Sequence, residues 1–149
     1  MTIFYKYKNI KRADGVETKL PYIPVEIKNG EGTLRFETMA LLDSGADISI
    51  LPLDLAELLN LDLSGKREVA NGIGGEVEVV NSKIFVKVSK GHENYEFEIP
   101  IQVLMVKSKA PLILGRDGFF DKFKITFDHY AEKIGLKRII IGNRAVSHS

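Results

Sequence analysis

The sequence predicts a mainly β protein with one or two short helices. Three observations carry that expectation. Apolar and polar residues alternate over short runs, as in Leu34-Arg35-Phe36-Glu37-Thr38 and across Lys83 to Val88, which is the period of a half-buried strand. Turn-forming residues recur between the runs, at Asn29-Gly30, Gly72 to Gly75, Gly91-His92 and Gly115, as hairpins require. Helical spacing is confined to Leu53 to Leu61 and, more briefly, Asp117 to Phe123.

In chain order, the N-terminal run MTIFYKYKNIKRADG is apolar only in scattered positions. Its cluster Lys6, Lys8, Lys11 and Arg12 reads as a solvated face. Val16 to Val25 holds strand-like residues around Pro21 and Pro24, which makes it irregular or an edge. Lys28-Asn29-Gly30-Glu31-Gly32 forms a hairpin turn between YIPVEI and TLRFETMALL. Met39 to Leu42 is continuously apolar, as when a strand enters a core. Leu53 to Leu61 follows Pro52, has Asp54 and Glu57 near its start, and offers Leu55, Ala56, Leu58 and Leu59 as a buried stripe. Glu68 to Val80 reads as a hairpin with a glycine-rich tip, Lys83 to Val88 as a separate strand, and Gly91-His92-Glu93-Asn94 as a turn. Tyr95 to Val106 is strand-like despite Pro100. Leu112-Ile113-Leu114 is a short apolar strand. Phe119, Phe120 and Phe123 mark one side of the second, brief helix. KITFD and KIGLKRIII form a last hairpin around His129-Tyr130-Ala131.

A length of 149 residues fits one domain spanning 1–149 and can bury a core without disulfides. Hydrophobic content of 44% with 28% charged residues describes a globular protein. The formal charge of +1 supplies no general attraction for nucleic acid. Absence of cysteine removes thiol catalysis and zinc–thiolate sites. No segment approaches the roughly 20 apolar residues that span a bilayer, and the N-terminus lacks a signal-peptide run. The expectation is a cytoplasmic protein without membrane or nucleic-acid partners. His92, His129 and His148 share no ligand spacing, so neither a metal nor another cofactor is expected.

Three separated motifs carry the chemistry. Asp43-Ser44-Gly45 sits directly after an apolar strand and before Ala46-Asp47-Ile48-Ser49-Ile50. Gly45 permits a sharp turn and close approach of its N–H. Taken alone, the motif also suits an ordinary Asx-turn. Asn71-Gly72-Ile73-Gly74-Gly75 makes a glycine-rich hairpin tip with one apolar point. It is not a dinucleotide fingerprint, because Val77 stands where the third glycine would fall. Leu112-Ile113-Leu114-Gly115-Arg116-Asp117 is an apolar strand whose glycine lets it pass close to another backbone. Arg116 then offers a planar fork for a carboxylate.

In this order and spacing the motifs resemble those of retropepsin-like aspartic proteases, over roughly Leu34 to Phe127. The resemblance implies an acid-protease barrel with one catalytic loop per chain. It implies that Asp43 is the catalytic aspartate, with Ser44 and Gly45 supporting the loop and Ser44 bonding across a dimer. Ala46, Asp47 and Ile50 would line the peptide channel. Gly72, Ile73, Gly74 and Gly75 would form the flap, with Ile73 at its tip. Leu114, Gly115 and Arg116 would support the loop from behind, Arg116 pairing with Asp47. Serine replaces the threonine common in viral members, and Ile48 stands where some have a second acid.

Acid-protease chemistry uses two carboxylates that share one proton. The chain has one Asp-Ser-Gly loop and no internal repeat; Asp117-Gly118 and Asp14-Gly15 lack its setting. The second acid must then come from another copy, in a twofold homodimer. The expected activity is endopeptidase cleavage of an extended peptide or protein substrate. The alternative is a catalytically silent peptide-binding module on the same fold. A serine hydrolase is disfavoured, because Ser44 lacks the G-x-S-x-G setting.

Overall fold

The computed structural model describes residues 1–72 and 75–140. Six strands close into a barrel. They are β4 (Tyr22–Lys28), β5 (Arg35–Leu42), β6 (Ser49–Leu51), β8 (Gly75–Lys90), β9 (Glu93–Leu104) and β10 (Leu112–Leu114), with β7 (Arg67–Gly72) added outside β8. The order is β4-β5-β10-β6-β9-β8-β7, and β4 meets β8 to complete the ring. A second sheet joins β1 (Thr2–Lys6) to β12 (Lys133–Arg138) and β11 (Phe123–Asp128). A small hairpin pairs β2 (Lys8–Lys11) with β3 (Glu17–Leu20).

Closure follows from alternation. Ile23, Val25 and Ile27 point inward from β4, and Ile84, Val86 and Val88 do so from β8. The barrel core continues through Phe97, Phe119 and Phe123 to Ile134 and Leu136 beneath the second sheet. Phe119 and Phe123 lie 5.2 Å apart between ring centres. Burying such a side chain contributes about 1.5–3 kcal/mol.

Several elements differ from the sequence reading. Glu68 to Val80 and Lys83 to Val88 do not separate into a hairpin and a further strand, since β8 runs unbroken over 16 residues. Asn81 and Ser82 pair with Gln102 and Ile101 of β9, so this polar pair continues the ladder instead of turning. The first helix, α1, covers only Leu53–Leu58 and has Pro52 at its N-cap. Asn60 takes φ 52°, and Leu61 N–H reaches back to Ala56 O at 3.1 Å while Asn60 N–H bonds Glu57 O at 3.0 Å. These two bonds close the helix end. Leu58 is exposed at 51%, so the buried stripe is Ala56 and Leu59. The second brief helix is reduced to a 3-10 turn at Phe120–Lys122. The scattered apolar positions near the N-terminus are strand β1, whose Ile3 and Tyr5 are buried. Pro21 divides Val16 to Val25 between β3 and β4, and Pro24 lies in β4 opposite Met39. The partner β8 reaches β4 only at Glu26 to Lys28, so the missing Pro24 N–H breaks no ladder bond on that side.

Asn29 is a buried polar side chain at the end of β4. Its Nδ2 donates to Thr33 Oγ1 at 3.0 Å and to Leu59 O at 3.3 Å, and its Oδ1 accepts from Thr33 N–H at 3.0 Å. One amide thus fixes the β4–β5 turn and ties it to the end of α1. Substituting Asn29→Ala strands those groups and should cost about 1–3 kcal/mol, read as a lower urea midpoint with an unchanged slope.

Candidate active site

The site is built where β10 passes between β5 and β6. Leu112, Ile113 and Leu114 run parallel to Ala40, Leu41 and Leu42, and Ile113 pairs antiparallel with Ile50. The segment joining β5 to β6 must therefore arch over the end of β10. Asp43 to Ile48 is that arch. Apolar stems anchor it, since Leu42, Leu51 and Leu114 are all buried.

Backbone hydrogen bonds hold the arch to β10 and the residues that follow. Asp43 N–H donates to Leu114 O at 3.1 Å, Arg116 N–H to Ala46 O at 2.9 Å, and Asp117 N–H to Asp47 O at 2.8 Å. Within the arch, Ala46 N–H donates to Asp43 O at 3.2 Å. Gly45 N–H donates to Asp43 Oδ1 at 2.9 Å, which orients the half-buried carboxyl. Ser44 and Gly45 are exposed, leaving this face of the loop open.

Gly115 is a steric requirement. A β-carbon there would stand 2.7 Å from Ala46 O and 3.0 Å from Ile48 C, closer than real side chains approach backbone. Its own N–H donates to Ser49 Oγ at 3.0 Å. Ser49 is fully buried, and this bond gives its hydroxyl a partner. Arg116 Nη2 meets Asp47 Oδ1 in an ion pair. Both side chains are largely solvated, at 58% and 82% exposure, so the pair orients Asp47 more than it stabilises the fold.

A groove of about 330 Å³ opens beside the loop. Gly45, Ala46, Asp47, Ile48 and Ile50 form one wall, Ala70 and Asn71 of β7 another, and Gln102 of β9 completes it. The structure thus brings Ala46, Asp47 and Ile50 into one cleft with the β7–β8 hairpin. Gly72 pairs with Gly75 at the end of that hairpin. Ile73 and Gly74 lie outside the described residues. Leu114, Gly115 and Arg116 stand behind the loop and away from the groove lining.

Sequence reasoning passed over Ser49, Ala70 and Gln102, and it named Ile48 and Asn71 within their motifs without giving either a place in the groove. Ser49 could have been found, because a hydroxyl between Ile48 and Ile50 in an apolar run must have a partner. Gln102 carries a similar signal, a polar residue between Ile101 and Val103. Ala70 has no sequence signal; only the pairing of β7 with β8 sets it over the groove.

Residues 23–117 match the family profile described as aspartyl protease. Among solved structures, the chain is similar to EIAV protease complexed with the inhibitor HBY-793, at 28% identity and a TM-score of 0.50, over 69% of this chain and 88% of that one. It is also similar to a retropepsin-like aspartic protease from Rickettsia conorii, at 18% identity and a TM-score of 0.56, over 91% of this chain and 98% of that one. The latter likeness concerns the fold. No curated protein matches the sequence significantly. No helix among the described residues is long and apolar enough to cross a membrane.

Two substitutions separate the roles around β10. Gly115→Ala forces backbone apart and should destabilise by about 1–3 kcal/mol. Arg116→Ala removes a solvated pair and should cost less than about 1 kcal/mol. Parallel urea titrations check the ranking; equal losses would show that the glycine contact relaxes freely.

Proposed function

The chain belongs to the aspartyl protease family, with a retropepsin-like fold, and we propose that it is an endopeptidase whose Asp43 works as one half of a dyad. The observation that carries this reading is the arch itself. A carboxyl oriented by Gly45 N–H at 2.9 Å stands on buried stems, two residues before Gly45, where the lining of the groove begins.

The dyad forms when two copies of the chain meet about a twofold axis. Two carboxyls at hydrogen-bonding distance share one proton, because both cannot ionise without strong repulsion. The ionised Asp43 takes a proton from a water lodged between the pair, and that water attacks the scissile carbonyl carbon. The protonated Asp43 donates to the carbonyl oxygen as the tetrahedral diol forms. Proton return to the amide nitrogen then lets the C–N bond break. Ser44 bonds across the dimer and braces the two loops.

The substrate lies extended along the groove. Its main chain is recognised by backbone groups, and alternate side chains enter the walls. Ala46, Asp47 and Ile50 form the floor, and the hairpin of β7 and β8 serves as the flap over it. Gly72, Ile73, Gly74 and Gly75 belong to that flap by sequence position. Arg116 positions Asp47. The unit of function is the domain 1–149, paired with its copy.

Peptide hydrolysis by wild type and by Asp43→Asn tests the reading. The variant should lose on the order of 10³-fold or more in kcat/KM while its circular dichroism and urea midpoint stay unchanged. Retained cleavage would remove Asp43 from the chemistry. Absence of cleavage in both, with peptide binding intact, would favour the silent binding module.

A further inference from the structure

We infer, on the peptide-groove reading above, that Gln102 selects the chemistry of one substrate side chain, favouring an amide or hydroxyl over an aliphatic group. Gln102 is half-buried in a strand whose neighbours Ile101 and Val103 are fully interior. It stands in register with Ile50 of the floor, and the two line the same groove. The groove lining around it is small or aliphatic at Gly45, Ala46, Ile48, Ile50 and Ala70, with Asp47 and Asn71 as its other polar residues.

Of the polar groups near Gln102, Asp47 pairs with Arg116, Asn71 stands exposed on the β7 wall, and Asn81 and Ser49 are engaged elsewhere. Asn81 pairs with it across β8 and β9, yet Asn81 Nδ2 donates to Glu68 Oε2 at 3.0 Å. Ser49 Oγ accepts from Gly115 N–H at 3.0 Å. Among the described residues no hydrogen bond joins the Gln102 amide to another side chain or to backbone. Water satisfies it while the groove is empty. A bound peptide displaces that water, and the amide then needs a partner from the ligand. Its Oε1 accepts and its Nε2 donates, so a substrate asparagine, glutamine, serine or threonine meets both needs. A leucine there leaves donor and acceptor unpaired, which is the stronger form of discrimination available to a pocket.

Matched peptides that carry asparagine, leucine or lysine at each position in turn supply the test. Their binding is measured to the Asp43→Asn protein, alone and combined with Gln102→Leu or Gln102→Glu, each checked for folding by circular dichroism. At one position the parent should favour asparagine over leucine by about tenfold in Kd. Gln102→Leu should reverse that preference and leave the other positions unchanged. Gln102→Glu, which still accepts, should keep asparagine above leucine and gain lysine. An unchanged preference in Gln102→Leu, equal binding of the asparagine and leucine peptides by the parent at every position, or no peptide binding by the folded protein would overturn the assignment. The same peptides offered to wild type separate the two levels. If none is cleaved while the Gln102-dependent preference persists in binding, the catalytic reading fails and the selection by Gln102 stands.

Discussion

The contact on which the rest of the structure depends is the passage of Gly115 beneath the Asp43 arch. A strand of three residues, β10, threads between β5 and β6, and the chain leaving it runs against Ala46 and Ile48 with no space for a β-carbon. That closeness lets Asp43, Arg116 and Asp117 all donate from backbone across the crossing. Without it the arch would have to rise away from the barrel, and Asp43 would lose its anchor at Leu114 O.

From this crossing the energetics divide cleanly. The stems are held by burial, since Leu42, Leu51, Leu112 and Leu114 are at most 3% exposed. The arch between them is held by directional hydrogen bonds and is open to solvent at Ser44 and Gly45. A hydrophobic frame thus fixes the ends of a polar loop without covering its outer face. The catalytic role proposed for Asp43 calls for such an arrangement, a carboxyl held in place yet open to water. The solvated Arg116–Asp47 pair adds orientation at the groove wall.

Much of the fold was legible because alternation reports burial on one face, and β4, β5 and β9 alternate clearly. The misreadings have physical causes. Asn81-Ser82 fell between the hairpin ending at Val80 and the strand starting at Lys83 because polar pairs usually interrupt strands, but here ladder bonds to β9 satisfy the backbone. The N-terminal strand β1 was hidden because its alternation covers only Ile3 and Tyr5, and its partner β12 lies at the other end of the chain. The α1 stop at Asn60 depended on a left-handed residue that is not glycine, which propensity alone does not flag. At the site, residues within one motif were readable, since their spacing is local. Ala70 and Gln102 were not placed there, because Ala70 is set over the groove by the pairing of β7 with β8 and Gln102 by the parallel pairing of β9 with β6.

The central claim is that two copies of Asp43, one from each chain, act on one water. Mixing wild-type chains with Asp43→Asn chains at fixed total concentration, with time for exchange of subunits, tests it most directly. If both carboxyls are required, mixed pairs are inactive and activity falls as the square of the wild-type fraction. A strictly linear fall would mean that each chain is catalytically complete by itself, and would contradict the account.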